Sequence, residues 1–184
     1  TWIYLNCKEV STSYRILAKI CNDLDSENPV PISGWPLDVV FDEMIDRLEK
    51  HVHGNCFLIL DEIDIVAKKT KVTHDILYNL TRINSNPKLK SSKVNLIGIS
   101  NVLDFKRYLD PRVISSLGEE EIIFPAYDAL ELNDILQQRA NIAFNEGVFD
   151  SDVIPLCSAL AAKEHGDARK ALGLLRMEIG RAHV

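Results

Sequence analysis

No apolar run in this sequence reaches the roughly 18 residues that a helix needs to cross a bilayer. Its opening residues also lack the basic-then-apolar pattern of a secretory leader, so neither a membrane-embedded nor a secreted protein is expected. There is no excess of basic charge: 21 Lys and Arg face 27 Asp and Glu, a net charge of −6. That excludes a protein that coats nucleic acid through an overall basic surface, although it leaves room for a local contact patch. Cys7, Cys21, Cys56 and Cys157 form no C-x-x-C pair, which argues against a zinc ribbon or a redox motif and fits a reducing compartment. His51 and His53 are two apart and share no helix face. Internal repeats and low-complexity tracts are lacking too. What remains is 184 residues, 46% hydrophobic and 26% charged, the balance of one folded domain or a domain with a small satellite.

Four short apolar runs read as buried strands: Trp2–Asn6, Cys56–Leu60, Val94–Ser100 and Glu121–Phe124. Ile3 to Leu5, Phe57 to Leu60 and Leu96 to Ile99 lack strict polar alternation, as strands do when helices cover both faces of a parallel sheet. Between them, Leu37, Val40, Phe41, Met44, Ile45 and Leu48 recur at helical spacing, and Asp75–Ile83 is a shorter example. After Phe124 the pattern becomes wholly helical, over Asp128–Asn145, Ser151–Glu164 and Asp167–Met177, with Asp128 and Ser151 as starts and Gly147 and Gly166 as stops. The expectation is an α/β fold with a parallel sheet over residues 1–126, then a small all-helical subdomain over 127–177. Lys88, Lys90 and Lys93 read as a solvated rim. The last seven residues, 178–184, resemble the translation of a common sequencing adapter and are expected to be an artefact, although an ordinary frayed helix end would explain them too.

The strongest chemical signal is Phe57-Leu-Ile-Leu-Asp61-Glu62-Ile63-Asp64. Four apolar residues leading into adjacent carboxylates place acids at the C-terminal edge of a buried strand, where open α/β sheets bind ligands. Nucleotide hydrolysis needs one acid there on the Mg²⁺ side and one to orient the attacking water. Asp61 fits the first role and Glu62 the second, although capping of the following helix would explain the same residues. Val94 to Ser100 is a second strand ending in a polar residue, Asn101. An Asn there can hold the attacking water, or simply make a turn.

These residues bring the chain to a known family. It resembles the AAA+ P-loop NTPase core of archaeal DNA replication initiators, the origin-recognition and cell-division-control type. The resemblance is carried by Tyr4-Leu-Asn-Cys7, Asp61-Glu-Ile-Asp64, Ile76 to Asn84, Gly98-Ile-Ser-Asn101 and Leu109-Asp-Pro-Arg-Val113. It continues through Ser115 to Glu121, Phe124-Pro-Ala-Tyr127 and Glu164 to Leu172. It implies that Asp61 and Glu62 are the Walker B pair, with Asp61 on Mg²⁺, and that Asn101 is sensor 1. Arg169 matches sensor 2, the lid arginine that reaches the phosphates. Tyr127 and Arg139 match positions that contact nucleotide where base and lid meet, roles that suit a stacking ring and a guanidinium fork.

Two departures from the family pattern stand out. None of the eight glycines is followed by Lys, so the phosphate-cradling G-x-x-x-x-G-K-[ST] loop is lacking. In the family that loop and its strand precede the point where this sequence opens, so truncation is the expected explanation. The first strand would lie centrally, between Val94–Ser100 and Glu121–Phe124, and a fragment without it is expected to be poorly soluble or molten. The arginine finger falls at Ser116 here, and Arg112 is the nearest candidate, either acting in trans or anchoring its loop to nearby acids.

The resemblance implies an ATP-dependent replication initiator that binds ATP or ADP with Mg²⁺, recognises double-stranded origin DNA and helps load the replicative helicase. Other initiator subunits are possible partners, no membrane is involved, and the location is cytoplasmic on the nucleoid. Family members also carry a DNA-gripping winged-helix domain, and a helical insertion expected within Ser11–Asp38, near Gly34-Trp35-Pro36. The alternatives are another AAA+ machine of DNA metabolism, a clamp loader or junction motor, and a DNA-binding scaffold that does not hydrolyse.

Overall fold

A computed structural model describes residues 1–68, 71–118, 120–145 and 147–181, with side chains at 71–74 and 179–181 outside the description. The chain divides into two compact units, Thr1–Glu119 and Glu120–Val184.

The first unit is built on a three-stranded parallel sheet in the order β1 (Trp2–Asn6), β2 (Gly54–Asp61), β3 (Ser92–Gly98). Registers Asn6↔Asp61 and Leu60↔Gly98 align the carboxyl ends of all three strands. Helices α1 (Ser13–Leu24), α2 (Leu37–His51), α3 (Ile63–Ala67), α4 (Lys71–Thr81) and α5 (Pro111–Ser116) connect and flank them. Ile16, Leu17 and Ile20 of α1, Val40, Met44, Ile45 and Leu48 of α2, and Ile76, Leu77 and Leu80 of α4 share one core. The strands add Ile3, Leu5, Leu58 and Leu60 to it.

Helix α1 buries Ile16, Leu17, Ile20 and Cys21 at helical spacing. Thr12 caps it by accepting from the Arg15 N–H at 3.3 Å. At its other end the buried Arg47 guanidinium donates to the carbonyls of Cys21 (3.0 Å), Asp25 (3.2 Å) and Asn28 (2.7 Å). Asn22 pairs with both backbone groups of Val30. These bonds fix the loop over residues 25–36, which carries exposed Ile32 and Trp35. Within Ser11–Asp38 the helix is α1, whereas Gly34-Trp35-Pro36 lies in the loop that enters α2, with Pro36 at its N-cap.

One expectation needs correction. Glu121–Phe124 forms no strand, and Ile122, Ile123 and Phe124 are exposed. A strand exists through its pairing, and no described segment pairs with this one. Among the described residues, the shared core lies against one face of the sheet. Burial alternates along β1, and Trp2, Tyr4, Ile97 and Ile99 are exposed on the other face, where Trp2 stacks on Phe57 at 4.5 Å. There the two aromatic rings partly cover one another.

The second unit packs α6 (Ala129–Ala143), α7 (Val153–Glu164) and α8 (Ala168–Arg181) around Leu132, Leu136, Ile154, Cys157, Ala171 and Leu175. Asp128 makes a full capping box with Glu131. Helix α7 starts after Asp152 rather than at Ser151, and no side chain caps it. Gly147 and Gly166 both adopt positive φ, as helix stops do. Helix α8 runs past Met177 to Arg181, while residues 182–184 of the expected adapter tail lie outside the described residues.

Candidate functional site

In the first unit the sheet brings three of the sequence-chosen residues to one edge. Asp61 ends β2, and Glu62 follows it at φ +53°, the only described non-glycine residue with positive φ. A side chain held there stores about 1–3 kcal/mol of strain. The strain is sustained by a double staple beside it: the Ile99 N–H donates to the Leu60 carbonyl at 2.9 Å, and the Ile63 N–H donates to the Ile99 carbonyl at 3.0 Å. Gly98 admits this crossing, since a Cβ there would stand 3.1 Å from Ile63 Cδ1. Asn101, exposed, therefore leaves β3 alongside the acids that leave β2.

Both oxygens of Asp61 are engaged. Oδ1 accepts from the Glu62 N–H at 2.9 Å, and Oδ2 accepts from the Tyr4 hydroxyl at 2.6 Å. The hydrogen bond to Asp61 raises the Tyr4 phenol above its ordinary pKa, so Tyr4 remains a donor. Asp64 instead accepts from Ser100 Oγ at 3.2 Å and pairs with Lys68 at 2.9 Å, tying the turn after β3 to α3. Cys7 lies buried near these acids, and burial, then Asp61, pushes its thiol up to about 11. It is a packing residue, not a nucleophile.

Arg112 is bound by Asp110 at 3.1 Å and Asp75 at 3.2 Å, and stands over the Tyr78 ring. These contacts are those of a loop anchor. Ser116 shares a hydrogen bond with Thr81 at 2.6 Å. Lys88 is matched by Asp42 and Asp46, and the backbone at Lys90 donates to Glu49, so much of the lysine rim faces acids of α2.

In the second unit, Arg169 and Arg139 are exposed on α8 and α6 respectively, and Tyr127 is half-exposed just before α6. Tyr127 and the Arg169 turn are joined: the Tyr127 N–H donates to the Gly166 carbonyl at 3.2 Å. A Cβ on Gly166 would stand 2.4 Å from the Tyr127 carbonyl oxygen, and its φ is +63°. Only glycine fits there. Asp167 Oδ1 then accepts from the Arg169 N–H at 2.7 Å, starting α8 with Arg169 in its first turn.

Tyr4 is the site residue that sequence reasoning missed. It stood inside a recognised string, and its signal was its place: one strand over from Asp61 and two residues before the residue paired with it.

Residues 133–181 match the family model of the Cdc6 AAA+ ATPase-type lid domain. The chain is 56% identical over 180 residues to the ORC1-type DNA replication protein of Thermococcus onnurineus, covering 95% of this chain and 41% of that protein. The chain belongs to the Orc1/Cdc6 family. Its fold agrees with that of the Aeropyrum pernix ORC1 protein solved in complex with DNA, at a TM-score of 0.83 and 44% identity, covering 100% of this chain and 45% of that one. The Aeropyrum pernix ORC2 protein, solved as ADPNP–ADP complexes, is similar at a TM-score of 0.76 and 25% identity, covering 100% and 48%. The three-stranded parallel sheet and the helical lid are thus those of Orc1/Cdc6 AAA+ proteins. The chain spans about two-fifths of the length of its curated Orc1/Cdc6 relatives. Among the described residues, no helix is long and apolar enough to cross a membrane, and no cluster of three or more His, Cys, Asp and Glu could hold a metal.

Proposed function

We propose that the full-length protein is an ATP-dependent replication initiator whose hydrolytic acids lie in this segment. The observation that carries the reading is the stapled strand edge, which sets Asp61, strained Glu62 and Asn101 side by side. A single carboxylate with oxygen donors suits Mg²⁺, which keeps most of its waters and takes its remaining ligands from phosphate oxygens. When bound, Mg²⁺ supplies charge neutralisation at the phosphates. Asp61 holds its water shell, Glu62 takes the proton of the attacking water, and Asn101 orients that water. From the lid, Arg169 and Arg139 offer guanidinium forks to phosphate oxygens, and Tyr127 offers a ring face to the base. Arg112 remains the arginine-finger candidate by position, but its ion pairs favour the anchoring role.

The DNA complex of the ORC1 relative supports DNA as a ligand, which on this reading is double-stranded origin DNA, and the nucleotide complexes of the ORC2 relative support ATP or ADP. Helicase loading and work with other initiator subunits, in the cytoplasm at the nucleoid, complete this reading. The test is phosphate release by the full-length protein and its Glu62→Gln variant. Removing the base should lower the rate by about 10²–10⁴-fold. Equal rates would assign the protein to a scaffold that does not hydrolyse.

A further inference from the structure

The open face of the sheet carries one polar contact aimed at the hydrolytic edge. Tyr4 pairs in register with Ile59, and Asn6 with Asp61, so Tyr4 lies on the same pleat face as Asp61 and one step back along the neighbouring strand. From there its ring runs toward the carboxyl edge and its O–H reaches Asp61 Oδ2 at 2.6 Å. The opposite oxygen is fixed by the Glu62 N–H at 2.9 Å. A carboxylate held at one oxygen can still rotate about its terminal torsion, whereas one held at both cannot. Next to this pair, Trp2 stacks on Phe57 and rigidifies the same two strands. Tyr4 is 54% exposed, so burial of its ring does not account for its placement.

We propose that Tyr4 is a positioning residue for the metal-side carboxylate. Its hydroxyl locks Asp61 in one rotamer, leaving the unused lone pairs directed at the water shell of a divalent cation. The inference rests on the reading of Asp61 as the Mg²⁺-side acid and extends it to a residue that never touches nucleotide. Groups that hold a metal-side ligand commonly govern metal affinity on the order of 10–100-fold when removed.

The test uses the full-length protein and a fluorescent ATP analogue, with binding measured with and without Mg²⁺. The ratio of the two dissociation constants is the Mg²⁺-linked gain. Tyr4→Phe, which keeps the ring, should cut that gain by on the order of 10-fold and leave metal-free binding unchanged. In an Asp61→Asn background, where the gain is already lost, adding Tyr4→Phe should change nothing. An unaltered gain in Tyr4→Phe overturns the proposal. So does a loss of metal-free binding, or an equal effect in both backgrounds, since either assigns Tyr4 to packing. A wild-type protein that gains nothing from Mg²⁺ overturns the nucleotide reading itself and Tyr4's role with it.

Discussion

The two units hold their chemistry in different ways. In the α/β unit, Asp61 is gripped at both oxygens, Asp64 is tied to Ser100 and Lys68, and Glu62 is held in a strained conformation by backbone staples. In the helical unit, Arg139 and Arg169 stand exposed, on a capped helix and after a glycine turn, with no side-chain network around them among the described residues. In the proposed role the carboxylates act at one fixed geometry, and preorganisation stabilises a transition state only if it is already in place. Long cationic side chains on rigid helices instead reach a ligand from an element that is itself ordered. The acid side is built by tertiary contact, the cation side by local helix chemistry.

The sharpest way to test that division is to damage each core in turn. Leu60→Ala and Leu136→Ala each remove a fully buried side chain, and each should cost about 2–5 kcal/mol. If the units are separately built, Leu60→Ala should erode hydrogen-exchange protection in the sheet and spare α6–α8, with Leu136→Ala doing the reverse. Equal loss across both units would erase the comparison.

Next in size is Gly166→Ala. Positive φ and a 2.4 Å approach to the Tyr127 carbonyl act together there, and the change should lower stability by about 2 kcal/mol or more. Phosphate release should fall as the Arg169 turn shifts, while exchange protection in β1–β3 remains. Full activity would show that the turn does not position Arg169.

Glu62→Gly should act in the opposite sense. It releases the strain at φ +53° and should raise thermal stability by up to about 1 kcal/mol while hydrolysis is lost. A destabilised variant would mean that the Glu62 side chain is kept for its contacts and not for function.

The smallest effect concerns pH. Glu49 accepts from the Ser91 hydroxyl and from the backbone N–H groups of Lys90 and Ser91, with Ser92 Oγ adding a fourth donor. The Ser91 hydroxyl bond leads in drawing its pKa from 4.5 to about 2. Because the folded value is depressed, the stabilisation is complete above pH 4.5 and fades as pH falls toward 2. Melting temperatures of wild type and Glu49→Gln should differ at about pH 7 and converge on acidification. A constant difference would place the effect in packing.

Much of this was legible in the sequence. Apolar runs marked β1, β2 and β3, helical spacing marked α2 and α6–α8, and an acidic pair after Leu60 marked the carboxyl edge. What escaped detection did so for physical reasons. The end of helix α1 is closed by Arg47, more than twenty residues away in the chain. Glu121–Phe124 looks like a strand by composition, but strand formation requires a neighbour.

The sequence by itself determined which residues carry charge at the strand ends, that Asp128 starts α6, and that Gly166 and Asp167 open α8. Those features depend on local backbone preference and on periodicity, which neighbours along the chain can set. Only the tertiary structure decided that Tyr4 grips Asp61, that Glu62 is strained and that Asn101 emerges beside them. Each of these depends on strand order and register, and register is fixed by which side chains the shared core accepts.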